Sequence, residues 1–493
     1  MSRRGHPSRL IVLLVQPLCL AACWAGQRPP LGKKALVAEL TRLVRSPELL
    51  RARVGVAVCD LVERRWLFLY QADSPYAVAS NAKLATTAAA LELLGPGYQF
   101  RTTVAHTGKV QGDGVLVGDL VVIGRGDPSI SGRFHDGNPT AVLAQWADAV
   151  KAAGIREVRG DIIADETYFD RRHTHPDWPK GQHAAWYCAP VSALSFNDNC
   201  VLVVVRPSEK NGEAARVEVV PPTGYVRLFN RCRTIRSRNG RVVVHRPAGK
   251  NDIYVGGGIP RKGPPFSVWV TVHEPALYTA TVFREVLAAR GVKVTGRVRL
   301  KTPTVRFGPG RLREIITTTS GLREAVEVAN ARSQNFYAGQ IFKTLGREKA
   351  GEGSFAAGAR VVEAFLRGAG VKGPVALADG SGLARTNRLS PMQIVTLLAY
   401  MNCRRTGSIF VRSLARPGEP GTLANRLLQL KGKLFAKTGY IVGACSLSGY
   451  LEAANDRLLA FSILVNDFRI PLWRVRAFQD AICLVLSRYS GEP

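Results

Sequence analysis

Hydrophobic and polar positions alternate along the chain in blocks that read as separate elements. Residues 35–45 carry apolar positions at helical spacing. Strand patterns follow at 54–61 and 66–70, rich in Val, Leu and aromatics, and the charged turn Glu63-Arg64-Arg65 joins them as a hairpin. Polarity then drops abruptly: residues 84–91 contain only Leu, Ala and Thr, and Gly95-Pro96-Gly97 ends the segment. A helix that is apolar all round belongs inside a domain rather than on its surface. Between 101 and 307, strand patterns (115–123, 201–205, 241–245, 267–272) are interspersed with helical ones (142–153, 276–290). Residues 321–345 read as one helix, and strand patterns at 434–440, 446–451 and 458–465 close the chain.

The first thirty residues follow a different rule. Arg3, Arg4 and Arg9 precede an apolar run at 10–22, short for a spanning helix and the right length for the core of a signal segment. It ends in Leu20-Ala21-Ala22-Cys23, the small-residue pattern of bacterial lipoprotein processing, which favours a lipid on Cys23; ordinary cleavage near Ala25 is the competing reading. Either way the chain is expected to be exported to the periplasm or cell envelope, soluble or tethered at one end.

Composition narrows the class. A chain of 493 residues with 46% hydrophobic residues fills two to four compact units, which excludes disorder as the main state. Nine cysteines are too few for a disulfide scaffold, and no C-x-x-C pair marks a zinc or redox site. The net charge of +31 favours an anionic partner, but Arg and Lys are spread along the whole length, with short clusters such as 231–241 and no stacking-aromatic motif. A solvated basic surface is therefore expected, and a nucleic acid partner is not.

Three short motifs carry the chemistry. Ser80-Asn81-Ala82-Lys83 opens the uncharged helix, so Ser80 and Lys83 project from one side of its first turn. The plain alternative is an N-cap followed by an exposed Lys. A first-turn Lys opposes the helix dipole, however, and this one leads into a wholly apolar stretch where burial would lower its pKa. A neutral amine beside a hydroxyl is a general base next to a nucleophile. Farther on, Ser333-Gln334-Asn335 sets a hydroxyl and a carboxamide two apart, and Lys437-Thr438-Gly439 lies on a strand pattern. Each motif alone has a bland reading, as helix-surface polar residues or an ordinary strand end. Together, S-x-x-K, S-x-N and K-T-G in this order form the motif set of penicillin-binding proteins and serine β-lactamases.

Longer stretches extend the likeness. Residues 74–100 (SPYAVASNAKLATTAAALELLGPGYQF), 118–128 (GDLVVIGRGDP), 329–346 (ANARSQNFYAGQIFKTLG) and 378–391 (ADGSGLARTNRLSP), with Gly421-Thr422-Leu423 ahead of the K-T-G strand, resemble the class C low-molecular-mass penicillin-binding proteins, the D-alanyl-D-alanine carboxypeptidase/endopeptidase family. Val78 stands where the family often has Pro, and Tyr440 where a small hydroxyl residue is usual. The resemblance implies a mixed α/β (α+β) fold, with a catalytic domain of the penicillin-binding-protein and serine β-lactamase type: an antiparallel sheet surrounded by helices. It also implies inserted β-rich subdomains. Ser80 and Ser333 are 253 positions apart, far more than a β-lactamase needs, which places an insert between them. The expected organisation is a signal segment 1–22, a linker 23–34, a discontinuous catalytic domain 35–100 and 308–493, and an inserted region 101–307 of two subdomains.

The resemblance further implies roles. Ser80 is the nucleophile, Lys83 the general base and Ser333 a proton relay. Asn335 holds the substrate amide or Lys83, Lys437 and Thr438 take the terminal carboxylate of a peptidoglycan stem peptide, and the backbone of Tyr440 receives the oxyanion. Gly439 is expected to leave room for a substrate backbone laid along the strand. No metal or organic cofactor enters this scheme, and β-lactams are the expected inhibitors. Alternatives are a serine β-lactamase or esterase on the same scaffold and a non-catalytic wall-binding protein.

Other residues read as structure. His173-x-His175 is expected in a solvated loop, and Gly124-x-Gly126-Asp127, which runs into Pro128, as a turn. Cys59, Cys445 and Cys483 read as packed thiols. Cys188 and Cys200 are a possible disulfide, with Cys232 and Cys403 as other partners.

Overall fold

The computed structural model describes residues 29–491 apart from 50, 303–306 and 308–309. The signal segment, Cys23, Ala25 and the expected boundary at 308 lie outside the described residues. The fold is mixed α/β, and the part built from both ends of the chain is organised by one five-stranded antiparallel sheet. The strand order is Arg65–Tyr70, Arg53–Asp60, Leu458–Asn466, Ala444–Glu452, Leu434–Ile441. Strands from the two chain ends thus meet in the middle, and Leu434–Ile441 forms an edge.

Each face of this sheet is covered by helices. Lys33–Val44 lays Leu36 and Leu40 beside Val475 and Ile482 of Leu472–Leu486, closing one face. Just before the first helix, Leu31 N–H donates to Arg488 O at 2.7 Å, so the expected linker is strapped to the C-terminal segment where it is described. The other face carries Ala82–Leu93, Leu322–Ala331, Asn335–Ala350, Phe355–Gly368 and Pro391–Asn402. Ala82–Leu93 sits in their midst and is buried from Ala82 to Leu91, which accounts for its lack of a polar face.

The intervening chain builds further sheets. A five-stranded sheet runs Val298–Leu300, Ile162–Asp165, Leu120–Gly124, Gln99–His106, Arg313–Gly321. A three-stranded sheet runs Arg216–Val220, Cys200–Arg206, Phe266–Thr271, next to a four-stranded one centred on Asp252–Pro260. Because Gln99–His106 pairs with Arg313–Gly321 from 99/321 to 106/313, the first of these sheets draws in residues on both sides of the expected boundaries. We propose that the insert runs from 99 to 321.

Two segments read as single elements are divided. The 115–123 pattern splits into Val115–Val117 and Leu120–Gly124, which join different sheets. Gly118 makes the break at φ +156, where a Cβ would collide with Thr107 O. The expected helix 321–345 is two helices, Leu322–Ala331 and Asn335–Ala350, parted by a bend in which Ser333 has φ +57. His173-x-His175 lies in a loop whose flanking residues are exposed, but the His173 side chain itself is half-buried, with Nε2 2.9 Å from Glu166 Oε2. The seven described cysteines are all free, including Cys188 and Cys200. Among the described residues no helix is long and apolar enough to cross a membrane.

Candidate active site

The S-x-x-K motif sits on a tight 3-10 turn, Ala79–Asn81, that runs directly into the buried helix Ala82–Leu93. Ala79 has φ +46, a strained value for a residue with a Cβ, and the turn around it is fixed from both sides. Ser446 Oγ–H donates to Val78 O at 2.8 Å, while Asn81 Nδ2 donates to Lys437 O at 2.8 Å and Asn81 Oδ1 accepts from Ser448 at 2.8 Å. The edge of the sheet and the nucleophile turn are therefore one unit.

Lys83 is fully buried beneath Ser80. Its Nζ lies 2.9 Å from Ser80 Oγ and donates to Asn335 Oδ1 at 2.6 Å and to Ser381 O at 2.7 Å. Burial pushes its pKa down to about 7, against a smaller upward pull from the Asp379 carboxylate. Asn335 is itself held, its Nδ2 donating to Tyr187 O at 2.9 Å. The bend that parts the two helices places Ser333 across the site, where Lys437 Nζ donates to Ser333 Oγ and to Thr438 O, each at 2.8 Å. Lys437 is also fully buried; desolvation, then repulsion from Lys83, drives its pKa well below the ordinary lysine range. Its amine points at Ser333, and neighbouring groups face the opening of the site.

Those groups line a cavity of about 730 Å³ that holds Ser80, Ser333, Asn335, Thr438, Gly439 and Tyr440. Arg332, Arg385, Arg426 and Arg476 also line it, which makes its rim positive. Arg426 is paired with Asp480 at 2.6 Å, and Arg385 with Asp467 at 3.3 Å. The edge strand offers backbone to the same space. Ala436 N–H and C=O bond outward to Ala415, so the N–H groups of Thr438 and Tyr440, two and four positions on, face the same open side.

Gly439 meets its neighbours closely. A Cβ there would run into Ser446 Oγ and stand 2.9 Å from Ser80 N, so glycine lets the strand close onto the turn that carries Ser80. Asp379, which no motif singled out, organises the other wall. Its carboxylate accepts from Trp178 Nε1 (2.5 Å), Gly382 N (2.7 Å), Asn387 Nδ2 (3.0 Å), Ala384 N (3.1 Å) and Ser381 N (3.2 Å). The loop so held delivers Ser381 O to Lys83. A buried Asp in the Asp379-Gly-Ser-Gly turn, satisfied by backbone donors, is the signal that could have marked it.

The model of the D-Ala-D-Ala carboxypeptidase 3 (S13) family matches residues 36–488. The chain belongs to this family. It is similar to a D-alanyl-D-alanine carboxypeptidase of Actinomadura sp. (strain R39), with 34% identity over 99% of this chain and 92% of that one. It is also similar to the D-alanyl-D-alanine carboxypeptidase DacB of Haemophilus influenzae, with 25% identity over 85% and 86%. The crystal structure of penicillin binding protein 4 from Haemophilus influenzae superposes with a TM-score of 0.78 at 23% identity, covering 92% of this chain and 99% of that one. That likeness extends the shared S13 fold to the inserted sheets as well as the catalytic part.

Proposed function

We propose that this S13 peptidase is a serine-type D-Ala-D-Ala carboxypeptidase that shortens peptidoglycan stem peptides through an acyl-enzyme on Ser80. The observation that carries the reading is the buried amine of Lys83, 2.9 Å from Ser80 Oγ and with a pKa near 7. A lysine in water at neutral pH is a cation and cannot take a proton; this one is poised to do so.

In this reading Lys83 Nζ takes the Ser80 proton as Oγ bonds to the carbonyl carbon of the terminal D-Ala–D-Ala amide. The oxyanion is received by the backbone N–H groups of Ser80 and Tyr440. As the C–N bond breaks, Ser333 Oγ relays the proton from Lys83 to the leaving nitrogen, its hydroxyl held by Lys437. Thr438 and the arginine-lined rim meet the terminal carboxylate. The substrate backbone adds to the open edge of Leu434–Ile441 as an extra strand. Water then attacks the acyl carbonyl and returns Ser80 with its proton. The same site would cut a cross-link whose carbonyl side is D-Ala, which is the endopeptidase form of the reaction.

Export, with Cys23 as the point of lipid attachment, completes the proposal: the basic mature chain faces an anionic wall or membrane surface, and the lipid holds it there more firmly than charge would.

The test is mass spectrometry after incubation with penicillin. The expected result is one covalent adduct on Ser80 that persists for minutes, because the tethered leaving group obstructs the deacylating water. An adduct elsewhere, or none, overturns the assignment; hydrolysis of the adduct within seconds would transfer it to the β-lactamase reading.

A further inference from the structure

A second pocket of about 370 Å³ opens where the three-stranded sheet of the insert meets the catalytic helices. Its floor is an aromatic shelf. Ala185 bridges Val270 in antiparallel register, which sets Trp186 opposite Trp269, and Trp269 in turn pairs with Leu202 across the sheet. Both tryptophans are largely open to solvent, at 43% and 41% exposure, although each is a large apolar ring that would ordinarily be covered. Its wall is polar and neutral overall. Arg133 and Asp198 are the only charged residues lining it, and they cancel in an ion pair of 2.6 Å. Gln334 Nε2 donates to the same Asp198 oxygen at 3.0 Å, which leaves Asp198 Oδ1 and Gln334 Oε1 without hydrogen-bond partners, the latter on a side chain only 8% exposed.

An exposed aromatic shelf beside a polar wall of no net charge fits one kind of ligand. It must offer an apolar face to stack, hydroxyl or amide donors around its edge, and no net charge. A pyranose ring with an N-acetyl group has all three; a peptide carboxylate or a phosphate lacks the neutrality. Trp186 lines this pocket and the Ser80 cavity alike, so a molecule filling both would be continuous. We propose that the pocket is a saccharide subsite for the glycan strand to which the stem peptide is attached. The proposal rests on the peptidase reading for the continuity of its ligand, but not for the chemistry of the pocket.

The experiment compares a free stem pentapeptide with the same peptide amide-linked to a disaccharide of N-acetylglucosamine and N-acetylmuramic acid. The linked form should be hydrolysed with a kcat/KM about tenfold higher, the value of stacking one sugar ring on an aromatic face. Trp269→Ala should erase that gain while leaving hydrolysis of the free peptide unchanged, and Trp269→Phe, which keeps a stacking face, should retain most of it. The peptide-free disaccharide should quench tryptophan fluorescence in the parent and not in Trp269→Ala. Equal kcat/KM for the two substrates in the parent, or a gain that survives Trp269→Ala, overturns the subsite. If neither peptide is cut but the disaccharide still quenches, the peptidase reading fails and the subsite stands; if it neither cuts nor quenches, both fall.

Discussion

The sheet that carries Lys437 and the sheet that carries Trp269 treat water in opposite ways. In the first, Ala444–Glu452 is buried at every position but its last, and the neighbouring helix is buried from Ala82 to Leu91, so Lys83, Asn81 and Lys437 are stripped of solvent. In the second, Phe266–Thr271 keeps alternate residues open, as do Val242–His245 and Arg216–Val220 beside it. In the catalytic part, exclusion of water lowers the pKa of Lys83 and of Lys437, which is what the proposed mechanism draws on. The insert keeps part of its sheet surface, with Trp186 and Trp269, open to solvent. Reactivity and recognition are thus divided between a dry region and a wet one.

The largest expected effect breaks the dry region at its centre. Lys83→Arg keeps a cation and its hydrogen bonds but cannot supply a neutral amine, since guanidinium does not deprotonate in proteins. Acylation by penicillin, followed by stopped-flow or mass spectrometry, should slow by about 10²–10⁴. Parental rates would make Lys83 a structural residue and remove the contrast. Next comes Gly439→Ala, whose methyl must push the edge strand off Ser80 N and Ser446 Oγ. A misplacement on the order of 1 Å should cost about 10²-fold in acylation with little change in melting temperature.

A smaller effect sharpens the electrostatic part of the argument. Because the neutral form of Lys83 is the reactive one, acylation should rise with pH through a midpoint near 7. Asp379 pulls that pKa upward, so Asp379→Asn should move the midpoint below 7, whatever it does to the maximal rate. An unmoved or raised midpoint would show that another group titrates. The smallest effect belongs to the wet region. Arg206 and Glu218 pair at 3.0 Å on the insert with half of each side chain exposed, and Arg206→Ala should change unfolding free energy in urea by no more than about 0.5 kcal/mol.

How much of this was legible depended on whether the reason for a residue was local. The buried helix 82–93 and the hairpin 53–70 follow from composition and period, and the motif residues stand out by spacing. The bend at Ser333 did not show itself: no Gly or Asn sits at the φ +57 position, and both flanking helices keep the same period, so tertiary packing alone divides them. Asp379 was less visible because its partners include distant Trp178 as well as the backbone of its own turn. Gly439 was visible as a motif residue, but its close approach to Ser446 on the adjacent strand was not, because that neighbour is set by strand pairing. His173 meets a carboxylate, Glu166, seven positions earlier, at 2.9 Å, a contact that no spacing rule marks.

The central sheet also dictates when this protein can exist as an enzyme. Ala77, three residues before Ser80, is clasped through both its backbone N–H and C=O by Asn466, a residue 389 positions later. A chain emerging from a ribosome or an export channel therefore carries its nucleophile through almost the whole of its synthesis without an edge strand, without Lys437 and without the packing that dries Lys83. Until the last three strands arrive, Lys83 is an ordinary solvated ammonium ion and Ser80 an ordinary alcohol. Closing a loop of that length is slow compared with folding of local sheets. The inserted sheets, whose strands pair within 99–321, have time to form first. A product truncated before Asn466 would lose this clasp while still carrying Ser80, Lys83, Ser333, Asn335 and Lys437.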